Sequence, residues 1–542
     1  MNVVELLLPT INKFSSAYLR GEEKILRFFT YNPHSKYTYE ARKEHLKTRT
    51  YRRTELAAYL QDYNKTYQAD SATMQNITRL TDEDALVVIG GQQAGLMTGP
   101  LYTISKIVSI IKLAKEQEKQ LGVPVIPVFW IAGEDHDFQE VNHVYSPKHT
   151  EMEKLSFSIK GSGKKMVSDL SFDKEAMEKW VKEVIKAFGE TEYTNDVIAH
   201  LETAIHDSNN IVDFFAYIIT SLFKGTGLVL VNASDSRLRK IETPFFQEML
   251  NNHEKITSGI LQSQQELNEL GFNPLLEVDE DSMNLFYHQN GERELIYRSE
   301  NGSYALSKHS NWSISIEELH KLIEEYPEKF SNNVVTRPLM QELLFPTLAF
   351  IGGPGEISYW AELKRCFESL YMEMPPVVSR ISLSFLERDI ESAMQDIEES
   401  LQDILMSGLE EKKKAWLNQE ELHQMNENLS NFQQQYGEVH KKFREVGNAM
   451  EPHLEHVFEK NWRLIDRQFD FIQRLIERSA YEKHEHIMKK FEKVELALRP
   501  GKMPQERVWN IYYFINKYGM DFVQRLCELP LDHNGKHKVI RL

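Results

Sequence analysis

The chain has 542 residues and a formal net charge of −17, from 81 acidic and 64 basic side chains; 41% of it is hydrophobic and 27% charged. That length supports about two to four domains with real cores, and the apolar share excludes global disorder. The negative field weighs against a nucleic-acid partner, and the two cysteines, Cys366 and Cys527, supply neither a disulfide framework nor a four-thiolate zinc site.

The opening stretch MNVVELLLPTINKF has no basic leader and no small-residue cleavage site, so it does not read as a signal peptide. The apolar run IVSIIKLA is too short to span a bilayer. The expectation is a cytoplasmic protein with no membrane partner. Through YEARKEHLKTRTYRRTELAAYLQDYNK the first 80 residues read as charged helices packed outside a core.

A buried strand is predicted at ALVVIGG, from Ala85, followed by the glycine-rich loop GGQQAGLMTGP. The next segment has helical spacing, with Ile104, Ile107, Val108, Ile111 and Lys115 along one side and Gly122 placed to end it. VPVIPVFWIAG is a second strand, which makes the unit a βαβ crossover of a parallel sheet. GLVLVNASDSR and TLAFIGGPG repeat the pattern, and PPVVSRI adds another strand. Between them, alternation and Asn-Gly pairs in residues 277–330 suggest a small β-rich insertion followed by a helix.

From Leu383 the apolar positions Leu383, Leu386, Ile390, Met394, Ile397, Leu401 and Ile404 recur every three or four residues. Val439, Phe443, Val446 and Met450 continue the pattern, as do Ile465, Phe469, Ile472 and Ile476. Narrow apolar stripes of this kind are the sequence form of coiled-coil packing. Gly408, Gly437 and Pro452 are expected to break the run into several helices. Either a bundle packed on the core or a protruding arm with a dimer contact fits. The organisation expected is an α/β Rossmann-like core over 1–382, with insertions near 150–210 and 255–330. A helical coiled-coil arm follows over 383–499, and residues 500–542 return to the core.

Chemistry is expected at the strand ends. Gly91, Gly95 and Gly99 permit close backbone approach, Gln92 and Gln93 offer amides, and Thr98 and Tyr102 follow in the same stretch. The helix after this loop would aim free N–H groups at an anion; a glycine turn set by sheet geometry alone is the alternative. In AGEDHDFQEVNH, His136 is the best acid–base group, oriented by Asp135 or Asp137. A metal site of His136, Asp137 and His143 matches no strong zinc spacing, so no bound metal is expected. Asn232 and Asp235 suit a polyol or amine, though Asp235 equally suits a helix cap. Arg337 offers a fork for carboxylate or phosphate, with a structural ion pair as the alternative. Gln341, Gly355, Glu356 and Tyr359 lie close to it in sequence. Cys366 reads as a buried helix residue.

IGGQQAGLMTGPLYTISK, FWIAGEDHDFQEVNH, RPLMQELLFPTLAFIGGPGEISYW and PPVVSR together resemble the bacillithiol biosynthesis cysteine-adding enzyme family, over essentially the full chain. The resemblance implies a ligase that joins L-cysteine to glucosaminyl-malate through an amide bond. It also implies a core similar to class I aminoacyl-tRNA synthetases with connecting-peptide insertions, and a C-terminal coiled coil similar to a dimerisation element. TGPLY stands where the HIGH signature of those synthetases is expected, and ALSKHS is a faint echo of KMSKS. Cysteine must be activated before an amine can displace an oxygen from its carboxyl. ATP, with Mg2+ arriving on its phosphates, is therefore the expected co-substrate. The alternatives are a sugar-directed transferase with a pre-activated donor and a non-catalytic scaffold.

Overall fold

A computed structural model describes residues 1–542 except 11, 160–162, 164, 290, 300–302, 307–311 and 418–419. It divides into two compact units, residues 1–385 with 505–541, and residues 386–504 with Leu542. Among the described residues no helix is long and apolar enough to cross a membrane.

Along the chain the strands are β1 (Asn2–Leu6), β2 (Leu86–Gln92), β3 (Val125–Ile131), β4 (His143–Lys148), β5 (Glu151–Ser156), β6 (Val229–Asn232), β7 (Ser282–Gln289), β8 (Glu292–Arg298), β9 (Tyr304–Leu306), β10 (Ser313–Ile314), β11 (Phe330–Asn332), β12 (Thr347–Gly352), β13 (Val377–Ser379), β14 (Leu383–Leu386) and β15 (His537–Arg541). The central sheet runs β13-β12-β2-β3-β6 and every pairing in it is parallel. Counted by chain rank within that sheet the order is 5-4-1-2-3, the Rossmann arrangement read from its other edge. Its topological switch point lies between β2 and β12, and sheets of this kind bind ligands beyond the carboxyl ends at that point.

The local sequence explains these elements. LVVI of β2 and VIPVFWI of β3 are fully buried, as strands covered on both faces require. Gly90 is fixed by packing, since a Cβ there would stand 3.0 Å from both the Ile351 carbonyl oxygen and Ile110 Cδ1. The Leu101–Leu121 helix follows β2 and buries Ile104, Ile107, Val108, Ile110 and Ile111. Each such side chain is worth about 1.5–3 kcal/mol. Gly122 ends the helix in the left-handed conformation, its N–H donating to the Glu118 carbonyl. Lys115, grouped with the apolar side by spacing, is exposed.

The insertion expected near 277–330 forms the antiparallel sheet β10-β9-β8-β7-β11. Its Asn-Gly pairs, at Asn290 and Asn301–Gly302, and the 307–310 part of ALSKHS lie outside the described residues. The Ile316–Glu325 helix follows, with a Ser315–Glu318 capping box.

Two expectations are corrected at the ends of the first unit. The N-terminal 80 residues are not all helical, because Asn2–Leu6 is a strand paired antiparallel with β15. Leu383 and Leu386, placed on a helix by spacing, belong to β14, the other neighbour of β15. A three-residue spacing within four residues does not distinguish the two states, and β15 decides the matter from about 150 residues away.

The second unit is helical. Its long pair, Glu420–Met450 and Glu455–Lys483, is joined through Pro452. Gly408 ends the Leu401–Ser407 helix as expected. Gly437 does not break its helix: a Cβ there would meet the Trp462 ring at 3.2 Å, so the glycine admits the indole of the facing helix. Gln433 donates to Asp466 at 2.8 Å, and His440 Nε2 lies 2.9 Å from Asn461 Oδ1 across the same seam. On the Glu420–Met450 helix, Met425, Phe432, Tyr436, Val439, Phe443, Val446 and Met450 are exposed.

Candidate functional site

The switch-point crevice is centred on a residue that sequence reasoning passed over. Lys106, 1% exposed, projects from the 101–121 helix toward the ends of β2 and β12. Its Nζ donates to the Gly91 carbonyl at 2.7 Å, to Gln92 Oε1 at 2.9 Å and to Glu356 Oε2 at 2.5 Å. Burial pulls the Lys106 pKa below its ordinary value, and the Glu356 carboxylate works against that fall. Glu356 also accepts the Gly353 N–H at 2.7 Å, which fixes it at the start of the Pro354–Trp360 helix.

Arg337 and Tyr359 stand beside this pair, the guanidinium donating to the Tyr359 hydroxyl at 2.9 Å. Burial opposes the Arg337 charge, but Tyr359, Glu356, Glu134 and Asp135 more than offset it and raise its pKa. Burial pushes Tyr359 up to about 12, which keeps it a neutral hydrogen-bonding phenol.

Beyond β3, Gln93 Nε2 donates to Asp135 Oδ2 at 2.7 Å and to Glu140 Oε2 at 3.1 Å. Asp135 Oδ1 accepts the His136 N–H at 2.7 Å and lies 3.8 Å from His136 Nδ1. Burial would raise the Asp135 pKa. Gln93, Arg293 and the backbone N–H groups of Asp137 and His136 outweigh it and lower the value. Arg293, on β8 of the inserted sheet, reaches within 3.4 Å of His136 Nδ1. It is held by Ser331 Oγ at 3.0 Å and the Asn332 carbonyl at 2.5 Å, and stacks 3.7 Å from the Phe286 ring centroid. Beneath these, Arg239 binds both Glu134 and Glu242 in a buried cluster.

The fold therefore sets Gln92 and Glu356 against Lys106, pairs Arg337 with Tyr359, and joins Gln93, Asp135 and His136 in a second group beyond β3. Asp137 is exposed and makes no side-chain cap to the short helix it precedes. Gly355 is open, since a Cβ added there would meet nothing within 4 Å. Gly91 and Gly95 are set by packing: a Cβ would lie 2.9 Å from the Trp130 carbonyl oxygen or from Gly99 Cα, respectively. Thr98 is fully buried at φ 75°, next to Met97 at φ 50° and Gly99 at φ 69°. Two adjacent non-glycine residues in this region are strained, and Asn510 holds them by donating to the Met97 and Gly99 carbonyls at 2.8 Å each. Tyr102 is half-buried, with the guanidinium carbons of Arg380 and Arg507 5.9 and 6.0 Å from its ring centroid.

Other expectations give way to structural roles. The Leu101 N–H donates to the Trp509 carbonyl at 2.9 Å, so the start of the 101–121 helix is covered by the C-terminal segment rather than free for an anion. Asp235 caps the Ser236–Asn251 helix and forms a two-point pair with Arg237, which consumes both carboxylate oxygens. Asn232, 8% exposed, accepts the Ser234 N–H and hydroxyl. Gln341 is 2% exposed, its Oε1 unpartnered. Cys366 is buried, as expected. Among the described residues no group of three or more His, Cys, Asp or Glu side chains is placed to hold a metal ion.

Residues 1–381 match the family described as Bacillithiol biosynthesis BshC, N-terminal Rossmann-like domain, and residues 383–542 match its C-terminal coiled-coil domain. The chain belongs to the bacillithiol biosynthesis BshC family. Curated BshC relatives cover the chain end to end. The protein named "Putative cysteine ligase BshC" from Geobacillus thermodenitrificans is 43% identical over 540 residues, with 100% of each chain covered. Those of the same name from Anoxybacillus flavithermus and Bacillus cereus (strain Q1) are 41% and 39% identical over 542 residues, again with 100% of each chain covered. BshC membership thus spans both units, the sheet with its crevice and the helical arm.

Proposed function

We propose that this chain catalyses the cysteine-ligase step of bacillithiol biosynthesis, joining the carboxyl carbon of L-cysteine to the amine of glucosaminyl-malate. The observation that carries this reading is the crevice itself. Buried Lys106, Arg337 beside Tyr359 and Arg293 against His136 supply fixed positive charge, and Asp135 with His136 supplies a carboxylate–imidazole pair. Such a site suits a small substrate bearing carboxylates and one amine.

Arg337 and Arg293 would bind and orient carboxylates, and His136 would take the proton that the amine loses as the amide forms. ATP, carried with Mg2+, would supply a phosphoryl or adenylyl leaving group on the cysteine carboxyl. The cationic residues fit phosphate oxygens, whereas the covered start of the 101–121 helix does not offer the N–H cradle expected there. That covering favours a second reading, a transferase that receives cysteine already activated. The setting is cytoplasmic, with neither nucleic acid nor membrane as partner. A homodimer through the exposed stripe of the Glu420–Met450 helix completes the reading.

The test is mass-spectrometric detection of bacillithiol from purified protein, cysteine, glucosaminyl-malate and ATP, omitting each in turn. Product that requires all four supports the ligase. Product from a pre-activated cysteine without ATP supports the transferase, and no product in either arm removes both.

A further inference from the structure

A second concave site lies at the opposite end of the central sheet, about 20 Å from the crevice along β3. It is a groove of about 600 Å³ floored by Ile111, Ala114, Val125 and Pro127. Its rim carries Lys112, Lys115 and Lys119 from the 101–121 helix, Arg79 from the Ser71–Arg79 helix, and Lys224 from the loop after the Ile211–Leu222 helix. The rim's acidic side chains are Glu118 and Glu528. Arg79 is neutralised by Glu118 at 2.8 Å, and Lys112 Nζ is anchored on the Leu529 carbonyl at 2.6 Å. Among the described residues Lys115, Lys119 and Lys224 have no ion-pair partner.

This is an unusual place for unpaired cations. The chain carries a net charge of −17, so carboxylates are abundant elsewhere. Lys115 and Lys119 are four apart on one helix, a like-charge spacing that costs about 0.2–0.5 kcal/mol. The helix dipole accounts for a cation in the last turn, but it does not account for Lys224, which a separate element brings to the same rim. Burial lowers the Lys112 pKa, with Lys115 adding to that fall and Cys527 and Glu528 opposing it.

We propose that this groove binds a small polyanion of the diphosphate or tricarboxylate type, with Lys115, Lys119 and Lys224 as point-charge ligands over an apolar floor. The site is separate from the crevice and does not depend on the reaction assigned there.

Calorimetric titration of the full-length chain with sodium pyrophosphate, and separately with citrate, tests it. The comparison uses wild type, Arg337→Ala and the triple variant Lys115→Gln, Lys119→Gln, Lys224→Gln. All three lysines are exposed, so the triple variant should keep the wild-type circular dichroism and melting temperature. The expected result is a salt-sensitive binding event that Arg337→Ala retains and the triple variant weakens tenfold or more. The stronger of the two anions identifies the class. Unchanged binding in the folded triple variant, or no event that survives Arg337→Ala, overturns the proposal.

Discussion

Lys106 and Glu356 pair beyond the carboxyl ends of the central sheet, Nζ to Oε2 at 2.5 Å, one from the helix that follows β2 and the other from the start of the helix that follows β12. The pair therefore ties together the two strands on either side of the switch point. Lys106→Met should leave the partly buried Glu356 carboxylate without its partner and cost about 1–3 kcal/mol. Adding Glu356→Gln should return part of that loss. Urea unfolding of the two single variants and the double variant measures it; strictly additive losses would show that the two side chains do not act as a pair.

His136→Ala should lower the rate of cysteine addition by roughly 10²-fold or more while the melting temperature stays near wild type, as lost general-base help predicts. Wild-type turnover with an unchanged pH profile, under conditions where chemistry limits the rate, would remove His136 from the mechanism and leave the crevice in place.

The buried Arg239 cluster makes a pH prediction. Burial pushes the Glu242 pKa up from 4.5 to about 7, with Glu134 adding repulsion and Arg239 opposing the rise. A raised folded-state value means the native protein binds more protons than the unfolded chain between those two pH values. Stability from this group is then full below about 4.5 and falls as pH rises through about 7. Melting temperatures of wild type and Glu242→Gln across that interval should diverge, wild type losing more on the alkaline side. Parallel curves would contradict it.

Glu5 carries the opposite sign. Hydrogen bonds from Lys538, Asn534 and Lys536 lower its pKa from 4.5 to about 2. Its contribution is present above about 4.5 and is lost as pH falls through about 2. Glu5→Gln should flatten the acid limb of the unfolding profile, and an unaltered limb would show the contact to be idle.

The exposed residues 425, 432, 436, 439, 443, 446 and 450 repeat at alternating four- and three-residue steps after the first seven, the seam of a coiled coil with an open side. Light scattering should give twice 63.4 kDa, and Val439→Glu with Val446→Glu should shift it toward the monomer. A wild-type monomer at every concentration would rule out the dimer.

The sheet was readable because its strands are unbroken apolar runs ended by glycine and polar residues, and because the Leu101–Leu121 helix has a plain amphipathic spacing. His136 and Glu356 could be picked out because they follow such runs, and Arg337 because its guanidinium flanks one. Lys106 was hidden inside a helix that otherwise buries isoleucines. Its signal was a single cation on the buried side, flanked by the small polar Ser105 and Ser109. Arg293 and the Trp509 carbonyl were out of reach for a different reason: each acts on a residue more than 150 positions away, and no local pattern encodes that approach. Asp235 shows the converse, a polar strand-end residue whose helix-cap role was equally visible and which the fold uses for capping.

The antiparallel pairing of Asn2–Leu6 with His537–Arg541 bears on how the chain matures during synthesis. Strand β1 has no β15 partner until about 530 further residues have followed it from the ribosome, so this pairing settles only after the central sheet is complete. A ribosome-bound chain stalled before residue 537 should expose its N-terminal segment to proteases, while the already complete central sheet resists them.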